Sequence, residues 1–196
     1  MANIITLSRI FLVFIVVGIL FIKPELSYVS LILTIFVMWF DGLDGYIARK
    51  FNEASRLGSL LDIMGDRIVE NVFWITFSAL SWINPVIPIV VLTRGIITDT
   101  LRSLAFEKGY TAFGKTTMIQ NPIAKFIVAS NFSRFTYAVV KALAFLFLIG
   151  GHLSFSYQYQ DVVLKTGEIC AWASMVFCVL RGIPVIFESK RFIDEQ

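Results

Sequence analysis

Histidine is nearly missing from this chain of 196 residues, and cysteine is almost as scarce: one His, at 152, and two Cys, at 170 and 178. No Ser, Cys or His arrangement therefore suggests a covalent nucleophile, and any metal bound here would have oxygen ligands rather than imidazole or thiolate. Cys170 and Cys178 stand eight residues apart in one expected helix, roughly 12 Å along its axis. That is too far for a disulfide, so they are read as packing residues. A strong charge of either sign is also lacking. Seventeen Lys and Arg against fourteen Asp and Glu leave +3, too little to argue for a nucleic-acid partner. Internal repeats and low-complexity tails are absent. The apolar run Ile10 to Ile22 ends in Lys23-Pro24-Glu25 without the small residues of a cleavage site, so it is expected to stay as a first span.

What is abundant is apolar surface. The chain is 57% hydrophobic with nineteen Phe and a mean hydropathy of +0.78, against about 45–50% apolar in soluble domains. A bilayer is the simplest solvent for it. Spans of about 20 residues are expected from about Ile4 to Ile22, Leu26 to Ala48, Leu57 to Leu80, Asn84-Pro85 to Phe106, Phe135 to Ile149 and Val162 to Phe187. Between the fourth and fifth, 107–134 is too polar and broken to span, and Asn121-Pro122 followed by AKFIVA suggests a short interfacial helix. The expected fold is all-α: one integral membrane domain over 1–196, a bundle of six transmembrane helices. Arg9, Arg49, Lys50, Arg56, Lys108, Lys115, Lys125, Arg134, Lys190 and Arg191 gather in loops on one side. Both termini are therefore expected to be cytoplasmic.

Charge within such spans is costly, at about 2.5–3.5 kcal/mol per Asp on insertion scales. Yet Asp41 and Asp44 close the second expected helix, and Asp62 and Asp66 open the third. Spacings of three and four put each pair on one helix face, and the short turn between the helices makes them antiparallel neighbours. Four carboxylates would then converge near the cytoplasmic interface, where they must hold protons or cations. All-oxygen ligands favour Mg²⁺, Mn²⁺ or Ca²⁺ over zinc or copper. Gly45, Ala48 and Gly58 keep the neighbouring surface flat enough for a base or a pyrophosphate, and Arg49 offers a fork for phosphate oxygens. For either glycine alone, close helix packing is the plainer reading. Trp39, Trp74, Trp82 and Trp172 are read as interface or packing aromatics.

The stretch DGLDGYIARKFNEASRLGSLLDIMGD, Asp41 to Asp66, matches the signature D-x2-D-G-x2-A-R-x8-G-x3-D-x3-D at all eight fixed positions. At roughly 6% per position, chance agreement is on the order of 10⁻¹⁰. The chain thus resembles the CDP-alcohol phosphotransferases. That resemblance implies six membrane helices, a homodimer, and attack of an alcohol on a CDP-linked lipid such as CDP-diacylglycerol with release of CMP. It also implies two divalent ions, Mg²⁺ or Mn²⁺, held by Asp41, Asp44, Asp62 and Asp66, with Asp66 as general base. Gly45, Ala48, Arg49 and Gly58 would bind the CDP moiety.

The acceptor must be read from the remaining charges. Arg94 and Arg102 share a face of the fourth expected helix, with Asp99 placed to pair with Arg102. Arg134 begins the fifth helix, Lys141 lies two turns into it, and Arg181 lies inside the sixth. Guanidinium groups in this number suggest an acceptor that carries a phosphate. The blander readings are that Arg94 or Arg102 neutralises Asp99 or Glu70, that Arg67 pairs with Glu70, and that Arg134 and Lys141 snorkel at the boundary. TRGIITDTLRSLAFEKG and the N-terminal NIITLSRI resemble phosphatidylglycerophosphate synthases, which use glycerol 3-phosphate. Gly95 stands where those enzymes carry Glu, and Ile63, Gly65 and Arg67 replace their usual Pro, Ala and Lys. Inositol phosphate, serine or another lipid is the alternative acceptor. The alternative from another class is a divalent-cation transporter, against which stands the placement of all four aspartates toward one side.

Overall fold

Thr6, Arg9, Val13, Val16 and Leu20 recur at alternating steps of three and four, so a helix through them collects all five on one stripe. In the computed structural model that stripe is buried, while Ile4, Leu7, Phe11, Phe14 and Phe21 face outward. Polar groups inside and large apolar groups outside are the arrangement a lipid solvent selects.

The structure describes residues 2–50, 56–107, 121–153 and 159–193, with the backbone alone at 2, 41–50, 56, 57, 59, 122, 123, 129 and 190–193. The elements are α1 (Ala2–Ile22), a 3₁₀ turn (Pro24–Leu26), α2 (Ser27–Lys50), α3 (Arg56–Ala79), α4 (Val86–Glu107), α5 (Pro122–Ala129), α6 (Asn131–Gly151) and α7 (Gln160–Ile193). The described chain is a membrane-associated bundle of helices.

The six expected spans are met in part. Six helices exceed 20 residues, but among the described residues three segments are long and apolar enough to cross a bilayer: Asn3–Ile22, Ala124–Gly151 and Gln160–Ser189. The physical reason lies in the charges. Asp62, Asp66, Arg67 and Glu70 interrupt α3, and Arg94, Asp99 and Arg102 interrupt α4. The short helix expected after Pro122 is present as α5. The next helix starts at Asn131 rather than Phe135 because Ser130 caps it, its Oγ accepting from the Ser133 N–H at 3.1 Å. Ser133 Oγ in turn donates to the Ile127 carbonyl oxygen at 2.6 Å, which ends α5.

The chain divides into two compact units, 1–85 with 142–169, and 86–141 with 170–196. In the first, α1 packs on α2 and α3. Phe73, Trp74 and Phe77 of α3 surround Phe145, with ring centroids 4.7–5.5 Å away. Such pairs add about 0.5–1.5 kcal/mol beyond their buried area. The second unit has a small core of Ala105, Ala124, Val128 and Val185 with Leu101 against it, which ties α4, α5 and α7 together.

His152 sits at the far end of the first unit from the aspartates. It stacks on Trp82 at 3.8 Å, just past α3, and its Nδ1–H donates to the Leu148 carbonyl oxygen at 2.8 Å. Asp66 is roughly 20 Å away along α3, so this imidazole takes no part in the acidic site. Burial holds its pKa below the ordinary 6.5, against a smaller opposing effect of the Leu148 bond. The unfolded chain therefore takes up the proton first, and the stability His152 confers is present above pH 6.5 and lost as the pH falls. Thermal unfolding in detergent is expected at a lower temperature at pH 5 than at pH 7.5. His152→Phe should flatten that difference; an unchanged pH dependence in this variant would show that other groups cause it.

Candidate functional site

Asp62 and Asp66 lie in the first half of α3, one turn apart, with Gly58 one turn before Asp62. Spacing by four places all three on one helix face. Asp62 is half-buried and Asp66 half-exposed. Arg9 Nη2 donates to Asp66 Oδ1 at 2.8 Å, and the Arg9 side chain is 1% exposed against 51% for Asp66. Arg9 is thus not the loop charge that the orientation argument made of it. It is an intramembrane cation on α1 paired with a carboxylate of α3. The signal available in the sequence was its place on the Thr6–Arg9–Val13 stripe rather than at a helix end.

Asp41, Asp44, Gly45, Ala48 and Arg49 fall on the last turns of α2, where the backbone is helical and so keeps the i,i+3 spacing of the two aspartates. Their side chains lie outside the described residues, as does the turn 51–55. Among the described residues no three of His, Cys, Asp and Glu come together around a common point. The two described aspartates do suit a hard divalent cation. Both supply oxygen alone, and Asp66, tied by Oδ1, takes no second partner among the described residues and remains half-exposed.

The second unit holds the cations. Arg94 of α4 lies along α7 at Gly182, where a Cβ would come within 2.8 Å of its Nε and 2.9 Å of its Cγ, so glycine is what admits the side chain. Arg181 sends Nη2 to the Val128 carbonyl oxygen at 3.3 Å. Its guanidinium stands 5.3 Å from the centre of the Tyr137 ring, and Lys141 Nζ is likewise 5.3 Å from that ring. Among the described residues, Arg94, Tyr137, Arg134 and Cys178 act on Arg181 electrostatically, and none of the four is a carboxylate. The Nε atoms of Arg94 and Arg181 are buried and have no hydrogen-bond partner among the described residues. Like charges gathered with open donors are unfavourable unless an anion completes them. An anion with several oxygens, such as a phosphate, would satisfy them.

Three of the four arginines expected to bind the acceptor are therefore brought together: Arg94, Arg134 and Arg181. Arg102 is not; it pairs with Asp99 at 3.8 Å, and both are more than a third exposed. Arg67 pairs with the buried Glu70 at 3.6 Å, as their spacing implied. Tyr137 was missed. It lies three residues after Arg134 and four before Lys141, a spacing that puts it on their face.

Residues 1–180 match the model of the CDP-alcohol phosphatidyltransferases. The chain belongs to that family. It is accordingly an enzyme of CDP-alcohol phosphatidyltransferase chemistry, associated with the membrane. Among its relatives is a CDP-diacylglycerol–glycerol-3-phosphate 3-phosphatidyltransferase of Aquifex aeolicus, 33% identical over 96 residues, 48% of this chain and 53% of that one. A protein of the same name from Rickettsia bellii is 22% identical over 191 residues, 97% of this chain and 95% of that one. An archaetidylinositol phosphate synthase of Aeropyrum pernix is 32% identical over 99 residues, half of this chain and 49% of that one.

Proposed function

We propose that this phosphatidyltransferase moves the phosphatidyl group of CDP-diacylglycerol to a phosphorylated small alcohol, glycerol 3-phosphate foremost, and releases CMP. The observation that carries the acceptor is the nearness of Arg94 and Arg134 to Arg181, which stands over Tyr137, with the Nε atoms of Arg94 and Arg181 buried and without a hydrogen-bond partner among the described residues. Such a site suits a phosphate dianion better than serine, which offers a single carboxylate beside an ammonium that the arginines would repel. The names of several relatives point to the same acceptor. Inositol phosphate is the second reading, favoured by the similarity to an archaetidylinositol phosphate synthase. Both are phosphorylated alcohols, so the cluster alone does not separate them.

In the reaction, the acceptor's hydroxyl oxygen bonds to the phosphorus that carries diacylglycerol, and the bond from that phosphorus to the oxygen of CMP breaks in line. CMP leaves with the electron pair. The hydroxyl proton passes to Asp66, whose half-exposed carboxylate suits a general base. Gly45, Ala48, Arg49 and Gly58 are assigned to the CDP moiety. Asp41, Asp44, Asp62 and Asp66 would hold two Mg²⁺ or Mn²⁺ ions, whose charge would neutralise the pyrophosphate and the departing CMP. The working form is taken to be a homodimer of single-domain chains, each with six membrane helices. The site and both termini then lie on the cytoplasmic side, as the loop cations suggest.

The test is CMP release by the purified protein with CDP-diacylglycerol and Mg²⁺ or Mn²⁺ across a panel of alcohols. Release with glycerol 3-phosphate is expected to exceed release with serine by at least about 10²-fold. Release with serine alone would refute the acceptor assignment, and inositol phosphate as the best acceptor would select the second reading.

A further inference from the structure

We infer that Arg9 is a positioning residue for Asp66, a fixed positive charge that aims this carboxylate from the buried side of the site and opposes the divalent cation there. The inference rests on the reading of Asp66 as base and metal ligand. Its basis is the pair itself: a guanidinium 1% exposed donates from Nη2 to Asp66 Oδ1 at 2.8 Å, while Asp66 is 51% exposed. A charge buried in an apolar span is expensive. Packing gives α1 no need of one, since Val13, Val16 and Leu20 fill the rest of the same stripe. The seat for the guanidinium is also built. At Gly65, next to Asp66, a Cβ would come within 3.0 Å of Arg9 Nη2 and 2.8 Å of Thr6 Cγ2. The guanidinium thus stands in the space a larger residue would need.

Two consequences follow with opposite signs. Tying Oδ1 restricts the carboxylate to one orientation and leaves its second oxygen to meet the hydroxyl proton, so losing Arg9 slows turnover. A fixed cation beside a metal-binding carboxylate also repels the ion, so losing the charge tightens cation binding. An arginine that only held the helices together would, when removed, weaken both.

The experiment uses the full chain in lipid nanodiscs, with Mn²⁺ affinity and stoichiometry from electron paramagnetic resonance and kcat and KM from CMP release. Arg9→Met is expected to bind Mn²⁺ about three- to tenfold more tightly at unchanged stoichiometry, while kcat falls about 10²-fold and donor KM stays within about threefold. Arg9→Lys keeps the charge without the fork; its Mn²⁺ affinity should stay within about twofold and part of kcat should return. Gly65→Ala keeps every charge but crowds the guanidinium, and kcat should fall about tenfold at unchanged Mn²⁺ affinity. Unchanged kcat in Arg9→Met, or weaker Mn²⁺ binding in step with its lost kcat, overturns the inference. If Arg9→Met does not fold, which a drop in Mn²⁺ stoichiometry reports, the other two variants decide. Wild-type kcat in both overturns the inference, and lowered kcat at unchanged affinity sustains it. A wild-type protein that neither binds Mn²⁺ nor releases CMP defeats the underlying reading instead, a result distinct from an active enzyme indifferent to Arg9.

Discussion

Asp66→Asn is expected to lower kcat for CMP release by about 10³-fold while CDP-diacylglycerol binding stays within about threefold. Asparagine has nearly the volume of aspartate, and its Oδ1 can still accept from the buried Arg9 fork that lies 2.8 Å from Asp66 Oδ1. The local packing around Gly65, Thr6 and Arg9 should therefore survive. What asparagine cannot do is take a proton, and a positioned general base is worth about 10²–10⁴-fold. Asp62→Asn on the same face makes the comparison. If Asp62 serves the cations alone, its loss should weaken Mn²⁺ binding, and added Mn²⁺ should recover part of the activity. Asp66→Asn should not be rescued in that way. Near wild-type turnover in Asp66→Asn would remove this residue as the base and leave acidic chemistry to Asp41, Asp44 or Asp62.

How much of this was legible in the sequence follows from the range of each interaction. The Arg67–Glu70 and Asp99–Arg102 pairs were readable because a helix alone sets i,i+3 geometry. The eight-position signature was readable because it is contiguous. Arg9–Asp66 joins residues 57 positions apart, and no helical periodicity links them; only the packing of α1 on α3 creates the pair. Arg181 drew attention as a charge in an apolar helix, but its neighbours Arg94 and Tyr137 come from α4 and α6, and Gly182 admits Arg94 by lacking a Cβ. Six long helices are present, and among the described residues three segments have the length and apolar content of an ordinary span. The same charges that pointed to chemistry take α3 and α4 below the apolar content of an ordinary membrane helix. One set of residues thus carries the chemistry and lowers the apolar content of the helices that bear it.

Arg94→Gln and Arg181→Gln should each raise the apparent KM for glycerol 3-phosphate by about 30- to 300-fold, with donor KM within about threefold. Each removes one guanidinium from a group in which both Nε atoms are buried without partners among the described residues. A phosphate that satisfied them would make charge-assisted bonds in a largely desolvated setting, where truncation is costly. Because both arginines would act on one anion, their effects should not add: the double variant should lose less than the product of the single losses. Arg102→Ala supplies the contrast. Its guanidinium already faces Asp99 at 3.8 Å in a partly exposed pair, and such pairs contribute little, so acceptor KM should move by no more than about threefold. The decisive control is stability without substrate. Arg181 feels the repulsion of Arg94 and Arg134, so neutralising Arg94 should leave the unfolding temperature unchanged or raise it, even as acceptor binding collapses. A structural arginine would do the reverse. If Arg94→Gln lowered thermal stability and raised both KM values equally, the cluster would be scaffolding, and the phosphate of the acceptor would have to be sought elsewhere.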